Sequence, residues 1–452
     1  MKIILKSVVI ISLLINLAYS CTNTSESTVT PETALQHYIN NNDQSFIWEL
    51  KDSYDHGDLT VYKLLVTSQK WREYIWRHQL MIIVPDENDH DGALLFINGG
   101  HNDNEIPKWK EQDDFLIQSM SAVALKNKAM VAVLYQVPNQ PLYDGLTEDP
   151  LISYTLHKYR EDKDLTWPLL FPMTKSAVRS LDAIQAFSAE VLEHEISRFV
   201  ISGESKRGWT TWLTAASDSR VEAIAPMVID MLNMPESIGY HLTAWGDYSI
   251  QIKDYVELGI AQDLKTTDGQ EITTMIDPFS YRGKLTIPKF IILGTNDEFW
   301  PADVIKHYFY DLPGENYIYY VANAGHRLGD KKQATRALSA FFGETMKKKK
   351  YPACSWDLIE DDGKIILNVE ADRDQLIGAV LWTADSDIRD FRDTPFVSRN
   401  ISKNNTGLQI SVEYPKSGFR AFYVDLVYPD PNGGDYSKST RMFLTDENKL
   451  LQ

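Results

Sequence analysis

Cysteine is almost absent: Cys21 and Cys354 are the two in 452 residues. No disulfide framework and no thiolate metal cluster can therefore hold the chain together. Positive charge is also short. Lys and Arg number 45 against 63 Asp and Glu, for a net charge of −18, and no long basic stripe occurs. That balance argues against nucleic acid and anionic membrane surfaces as partners. The one basic cluster, 347–350, closes a helical pattern, where cations suit the carbonyl end. Beyond the N-terminus no apolar run is long enough to span a membrane. No glycine-rich phosphate loop and no internal repeat occur. The ligand-rich turn 86–92 ("DENDHDG") lacks the downstream glutamate of a calcium loop and reads as a solvated turn between strands. Neither a metal nor a cofactor is expected.

What is present begins with a leader. Lys2 and Lys6 precede an apolar run, 7–19, too short to cross a bilayer, and the pattern predicts a signal peptide over 1–20. Cys21 follows directly and opens a polar tether, 21–30. That order resembles a bacterial lipoprotein acylated at Cys21, although the leucine usual three residues before the cysteine is missing. Cleavage near Ser20 without lipidation is the other reading. Either way the chain is expected outside the cytoplasm, periplasmic, outer-membrane or secreted, with membrane contact only through an anchor at Cys21.

From residue 31 the chain alternates strand-like and helix-like segments. Apolar runs predict strands at 62–66, 80–84, 93–97, 129–135, 199–202, 223–229, 289–293 and 317–321. Several are continuously apolar, as strands covered on both faces of a parallel sheet must be. Helical patterns at 175–192 and 302–310 complete a βαβ rhythm, which predicts a doubly wound α/β domain over 31–349. Two aromatic insertions, about 136–172 and 232–282, are long enough to cap an active site, with packing filler as the plainer use of their aromatics. Near residue 350 the texture changes to short period-two segments, 365–369, 377–383, 408–412 and 420–427. These predict a small β-sandwich over 350–452.

One junction carries chemistry. The apolar run 199–201 leads into Gly203-Glu204-Ser205-Lys206-Arg207-Gly208 and then a helix-forming stretch, 206–216. Strand, sharp turn and helix is the setting in which a Gly-x-Ser motif exposes a nucleophile above a helix N-terminus. The second glycine, however, arrives one position late, after Arg207. In a hydrolase of this topology the acid and the histidine follow on later strands. Strand 289–293 ends in Gly294-Thr295-Asn296-Asp297, and strand 317–321 ends in Ala324-Gly325-His326. Asp297 and His326 thus fall on consecutive loops at the sheet edge where Ser205 emerges. Asp230, ending strand 223–229, competes for the acid's place but lacks the small and polar neighbours that let a carboxylate turn inward. Glu298 and Asp303 read as surface or cap residues, and His78, His157, His194 and His307 as structural. The backbone N–H groups of Lys206 and Gly100, the latter in the Asn98-Gly99-Gly100 loop, would form the oxyanion hole.

Further blocks carry a resemblance: "VTSQKW" (66–71), "QVPNQP" (136–141), "PMTKSAVR" (172–179), "SKRGWTTWLTAA" (205–216), "PMVIDMLN" (226–233), "DYVELGI" (254–260) and "YFYDLPGE" (308–315). Together they resemble the PhoPQ-activated pathogenicity-related proteins, from about residue 31 to 345. The resemblance implies an α/β-hydrolase fold, export, and Ser205, Asp297 and His326 as the catalytic set. It also implies that Ser-Lys-Arg-Gly is this family's form of the elbow. A similar displaced glycine occurs in glucuronoyl esterases, where a basic residue beside the serine assists the oxyanion. Lys206 or Arg207 could act so here, or could pair with Glu204. The expected activity is hydrolysis of an ester or amide in a small-molecule or peptide substrate. Dipeptidyl-peptidase-like cleavage, or a non-catalytic envelope or signalling role on a hydrolase shell, are the alternatives.

Overall fold

The computed structural model describes residues 28–361, 363–402 and 408–451. The expected leader, Cys21 and most of the tether lie outside the described residues. Among those described, no helix is long and apolar enough to cross a membrane.

An antiparallel meander of Ile47–Asp55, Leu59–Trp71 and Tyr74–Pro85 starts the central sheet. A parallel run continues it in the order Met130–Leu134, Gly92–Ile97, Arg198–Glu204, Val221–Met227, Lys289–Gly294 and Asn316–Val321. Burial explains why these segments are so apolar. In Gly92–Ile97 every residue is buried: Ala93, Leu95 and Ile97 face one core, Leu94 and Phe96 the other. Helices Leu170–Val191 and Lys206–Ala215 cover the first face, and Phe115–Asn127 and Lys332–Met346 the second. The result is a doubly wound sheet. Its parallel strands deliver their C-terminal loops to one edge, where chemistry concentrates.

The tail forms two facing antiparallel layers. One contains Cys354–Asp361, Lys364–Ala371 and Leu408–Glu413. The other contains Val397–Ile401, Gly378–Ser386, Phe419–Pro429 and Asp435–Ser439. Ile365, Leu367, Ile410 and Val412 pack against Leu381, Phe422, Val424 and Leu426 between them. This sandwich is fused to the α/β sheet, because Asp435–Ser439 pairs with Asn316–Val321 at Ile318↔Ser439. Tyr436 Oη reinforces the join by donating to Glu344 Oε1 at 2.8 Å.

Two segments depart from the sequence pattern. Ile47–Asp55 is a strand with mostly exposed residues, several charged, so it carries no apolar alternation to reveal it. The helix expected over 302–310 is instead two short 3-10 turns, Val304–His307 and Phe309–Asp311. Tyr308 breaks the helix at φ −145° and sends its hydroxyl to Asp230.

Candidate active site

The chain crosses from strand Arg198–Glu204 into helix Lys206–Ala215 through Ser205 alone. Ser205 sits at φ 57°, ψ −126°, a conformation non-glycine residues rarely hold. Its N–H donates to Met227 O at 2.8 Å, which holds the bend. The displaced glycine now has a physical reason. A Cβ on Gly208 would lie 2.9 Å from Gly203 O, Met227 O and Ile229 Cγ2. A Cβ on Gly203 would lie 2.7 Å from Arg207 O. Strand and helix therefore cross at Gly203 and Gly208, and position 207 is free to carry a long side chain.

Ser205 Oγ lies 2.9 Å from His326 Nε2. His326 Nδ1 lies 3.0 and 2.9 Å from the two oxygens of Asp297. A carboxylate only accepts, so Nδ1 carries the proton and Nε2 is left to accept from the serine. Burial raises the Asp297 carboxyl above the usual range, opposed by the His326 ring and the Phe299 N–H, which donates at 2.8 Å. Phe299 also stacks on the imidazole, with ring centroids 4.0 Å apart. Glu298 accepts from His326 N at 2.9 Å, so this carboxylate braces the histidine loop.

The competing acid points elsewhere. Asp230 Oδ1 accepts from Tyr308 Oη at 2.6 Å, and burial pushes its carboxyl up to about 8. Asp303, expected at the surface or in a cap, is buried and bonded to Tyr240 and Lys306. Neither contacts His326. The other histidines are occupied or remote: His78 lies between Ser68 and the Tyr135 carbonyl, and His194 bonds the His90 carbonyl.

The two basic residues after Ser205 do not pair with Glu204, which is held by Lys331. Lys206 Nζ lies 2.9 Å from Glu148 Oε2 and 3.0 Å from Asp149 Oδ2. Arg207 donates to Val137 O at 2.6 Å and to Glu148 Oε1 at 2.5 Å. Burial would raise Glu148, but Arg207 and Lys206 override it and hold the carboxyl far below its ordinary range. Gln140 Nε2 joins in, donating to Glu148 at 2.6 Å and to Gly100 O at 3.0 Å. The Asn98-Gly99-Gly100 loop is thus moored to the elbow. A Cβ on Gly99 would lie 2.5 Å from Arg207 Nη2, so any other residue there would push the guanidinium from its place. Gly100, at φ 153°, would bring a Cβ within 2.9 Å of Gln136 Nε2. Glu148, Asp149 and Gln140 were not evident from sequence, since nothing in their spacing announces partners so far along the chain.

A cleft of about 540 Å³, counting its open mouth, opens beside Ser205. Its walls include Trp209, Met231, Ile238, Leu264, Phe299 and Trp300, with Asp149 and Lys206 among the polar lining. The second insertion supplies much of this wall. The first contributes Asp149, whereas its Tyr143, Tyr154 and Trp167 pack on one another and on Trp71 and Tyr74. For those aromatics filler is the right description.

A doubly wound sheet with a strained serine elbow, and a histidine and acid on the following strand loops, is the α/β-hydrolase architecture. Within that class the chain belongs to the PhoPQ-activated pathogenicity-related protein family, whose model matches residues 35–392. It is 30% identical over 430 residues to autocrine proliferation repressor protein A of Dictyostelium discoideum, covering 88% of this chain and 86% of that protein. Among solved structures it is similar to acetyl xylan esterase 1 from Thermoanaerobacterium, at 16% identity and TM-score 0.47, covering 69% of this chain and 92% of that one. A glucuronoyl esterase from Solibacter usitatus matches at 13% identity and TM-score 0.37, covering 61% of this chain and 76% of that one.

Proposed function

We propose that this chain is an exported serine hydrolase that cleaves an ester or amide. The observation that carries the reading is the continuous hydrogen-bonded chain from Ser205 Oγ through His326 to Asp297. His326 Nε2 takes the serine proton as Oγ attacks the carbonyl carbon, then returns it to the leaving group. Asp297 holds the ring in the required tautomer and stabilises the imidazolium. The tetrahedral oxyanion is received by Lys206 N–H, which opens its helix and has no intrahelical acceptor, and by Gly100 N–H. The leader pattern at 1–20 supports export, with Cys21 as the anchor if it is acylated.

A dipeptidyl-peptidase-like reading needs free acidic side chains to hold a substrate amine. Among the described residues Asp149 is the acid that lines the cleft, and Lys206 already occupies it; its neighbour Glu148 is held by Lys206 and Arg207. The ester or simple amide reading is therefore preferred. A non-catalytic role would leave the strained φ of Ser205 without a use. The test is labelling with a fluorophosphonate probe. Wild-type protein should label, and Ser205→Ala should not. A folded wild type that stays unlabelled, or a labelled Ser205→Ala, would sink the assignment.

A further inference from the structure

We propose that the cleft beside Ser205 selects substrates whose group next to the scissile carbonyl is apolar, such as a medium-chain acyl ester or the amide of an apolar residue. This rests on the serine-hydrolase reading and adds a substrate class to it. Two observations carry it. First, the walls are apolar from both sides: Trp209 from the elbow helix, Met234, Ile238 and Leu264 from the second insertion, and Trp300 from the acid loop. Second, the polar groups at the cleft are already spent on one another. Asp149 takes Lys206 Nζ at 3.0 Å on one oxygen and Tyr255 Oη at 3.1 Å on the other. Lys206, among the described residues the one cation lining the cleft, is paired with both Asp149 and Glu148. Two carboxylates already meet its charge, so a substrate carboxylate brought against it would also face their negative charge. Among the described residues, one side-chain donor in the wall lacks an acceptor, the buried indole N–H of Trp300. A sugar or uronate has a hydroxyl on nearly every carbon and would leave most of them unpaired, at a cost per group that an alkyl chain avoids.

The experiment is a chain-length series of p-nitrophenyl esters, set against acetylated sugars, with fluorophosphonate labelling of the same preparation. From acetate to hexanoate kcat/KM should rise by at least about tenfold, since each buried methylene is worth about fourfold. Ala261 also lines the cleft, and Ala261→Phe, which narrows it, should abolish that rise while labelling continues. A flat or falling series, or a preference for acetylated sugars, in protein that labels at Ser205 overturns the substrate class alone. Absence of labelling would instead remove the hydrolase reading.

A second inference rests on different contacts. We infer that segment 387–396 of the tail positions the two loops that carry Asp297 and His326. Asn296, immediately before Asp297, donates both amide hydrogens into this segment, to Phe391 O at 2.6 Å and Thr394 O at 2.8 Å. Asn323, three residues before His326, donates to Phe396 O at 3.0 Å and accepts from Phe396 N at 2.6 Å. Thr295 Oγ1 ties the loops to each other, donating to Asn296 Oδ1 at 2.7 Å and accepting from Asn323 N at 2.8 Å. The segment is itself fixed, because Phe391 and Phe396 are both 3% exposed and Phe396 packs on Tyr423 of the tail sheet. The tail thus supplies backbone acceptors that set where the acid and the imidazole stand.

Asn296→Ala and Asn323→Ala test this, because each removes the side-chain bonds and leaves the tail intact. Each variant should lose about 10- to 100-fold in kcat with KM little changed, the cost of a small misplacement of catalytic groups. Fluorophosphonate labelling should slow by a similar factor, and the acid limb of the kcat/KM profile should move. Wild-type kcat in both variants, or a loss confined to melting temperature, overturns the positioning role.

Discussion

The parallel half of the molecule and its antiparallel tail solve burial differently. In Gly92–Ile97 every residue is buried, because helices cover both faces. In Leu408–Glu413 buried and exposed residues alternate, because one face meets the opposite layer and the other meets solvent. The parallel strands therefore place their loops together at one edge, and the chemistry gathers there. The tail strands place their side chains in a shared core, and what reaches the active site is backbone from one loop. On the proposed reading, one half holds the reacting groups and the other steadies their loops.

The largest effect that would sharpen this contrast comes from Asp297→Asn. Loss of the correct histidine tautomer should lower kcat by about 10,000-fold, with melting temperature nearly unchanged. A variant that keeps more than about a tenth of wild-type kcat would dismiss Asp297 as the orienting acid. A change in the tail should behave oppositely. Phe422 is fully buried between the sandwich layers, and Phe422→Ala should cost about 3–5 kcal/mol of stability. Because the two halves share a sheet at Ile318↔Ser439, chemical denaturation should remain a single transition monitored by far-UV signal and by activity. A separate early transition would break the picture of a fused tail.

The last effect concerns pH. Burial holds the Asp230 carboxyl near 8, against about 3.9 in an unfolded chain. A raised carboxyl means that the folded state keeps its proton longer. The stability contributed by the neutral acid is complete below about pH 4 and is lost as pH rises through about 8. Asp230→Asn should therefore gain melting temperature relative to wild type as pH goes from about 5 to about 9. An unchanged difference across that range would show that the acid ionises freely.

Periodicity alone located every strand of the parallel run, since strands buried on both faces must be apolar throughout. It also placed Ser205, Asp297 and His326 on loops at the same sheet edge, because alternating strand and helix dictates where such loops fall. Other features needed the folded chain. A charged edge strand such as Ile47–Asp55 has no apolar face to announce it. Sequence already favoured Asp297 over Asp230 for its small and polar neighbours; the fold adds the reason Asp230 is out of play, its claim by Tyr308. The late glycine was readable as a variant elbow, but its reason is a backbone crossing at Gly203 and Gly208. The pairing of Lys206 and Arg207 with Glu148 and Asp149 joins residues with no regular spacing in the chain, as does the bond from Asn296 to the tail. Sequence determines which segments can be buried and which loops share an edge. Tertiary structure decides which polar groups at that edge find each other, because hydrogen bonds depend on distance and direction that no local pattern encodes.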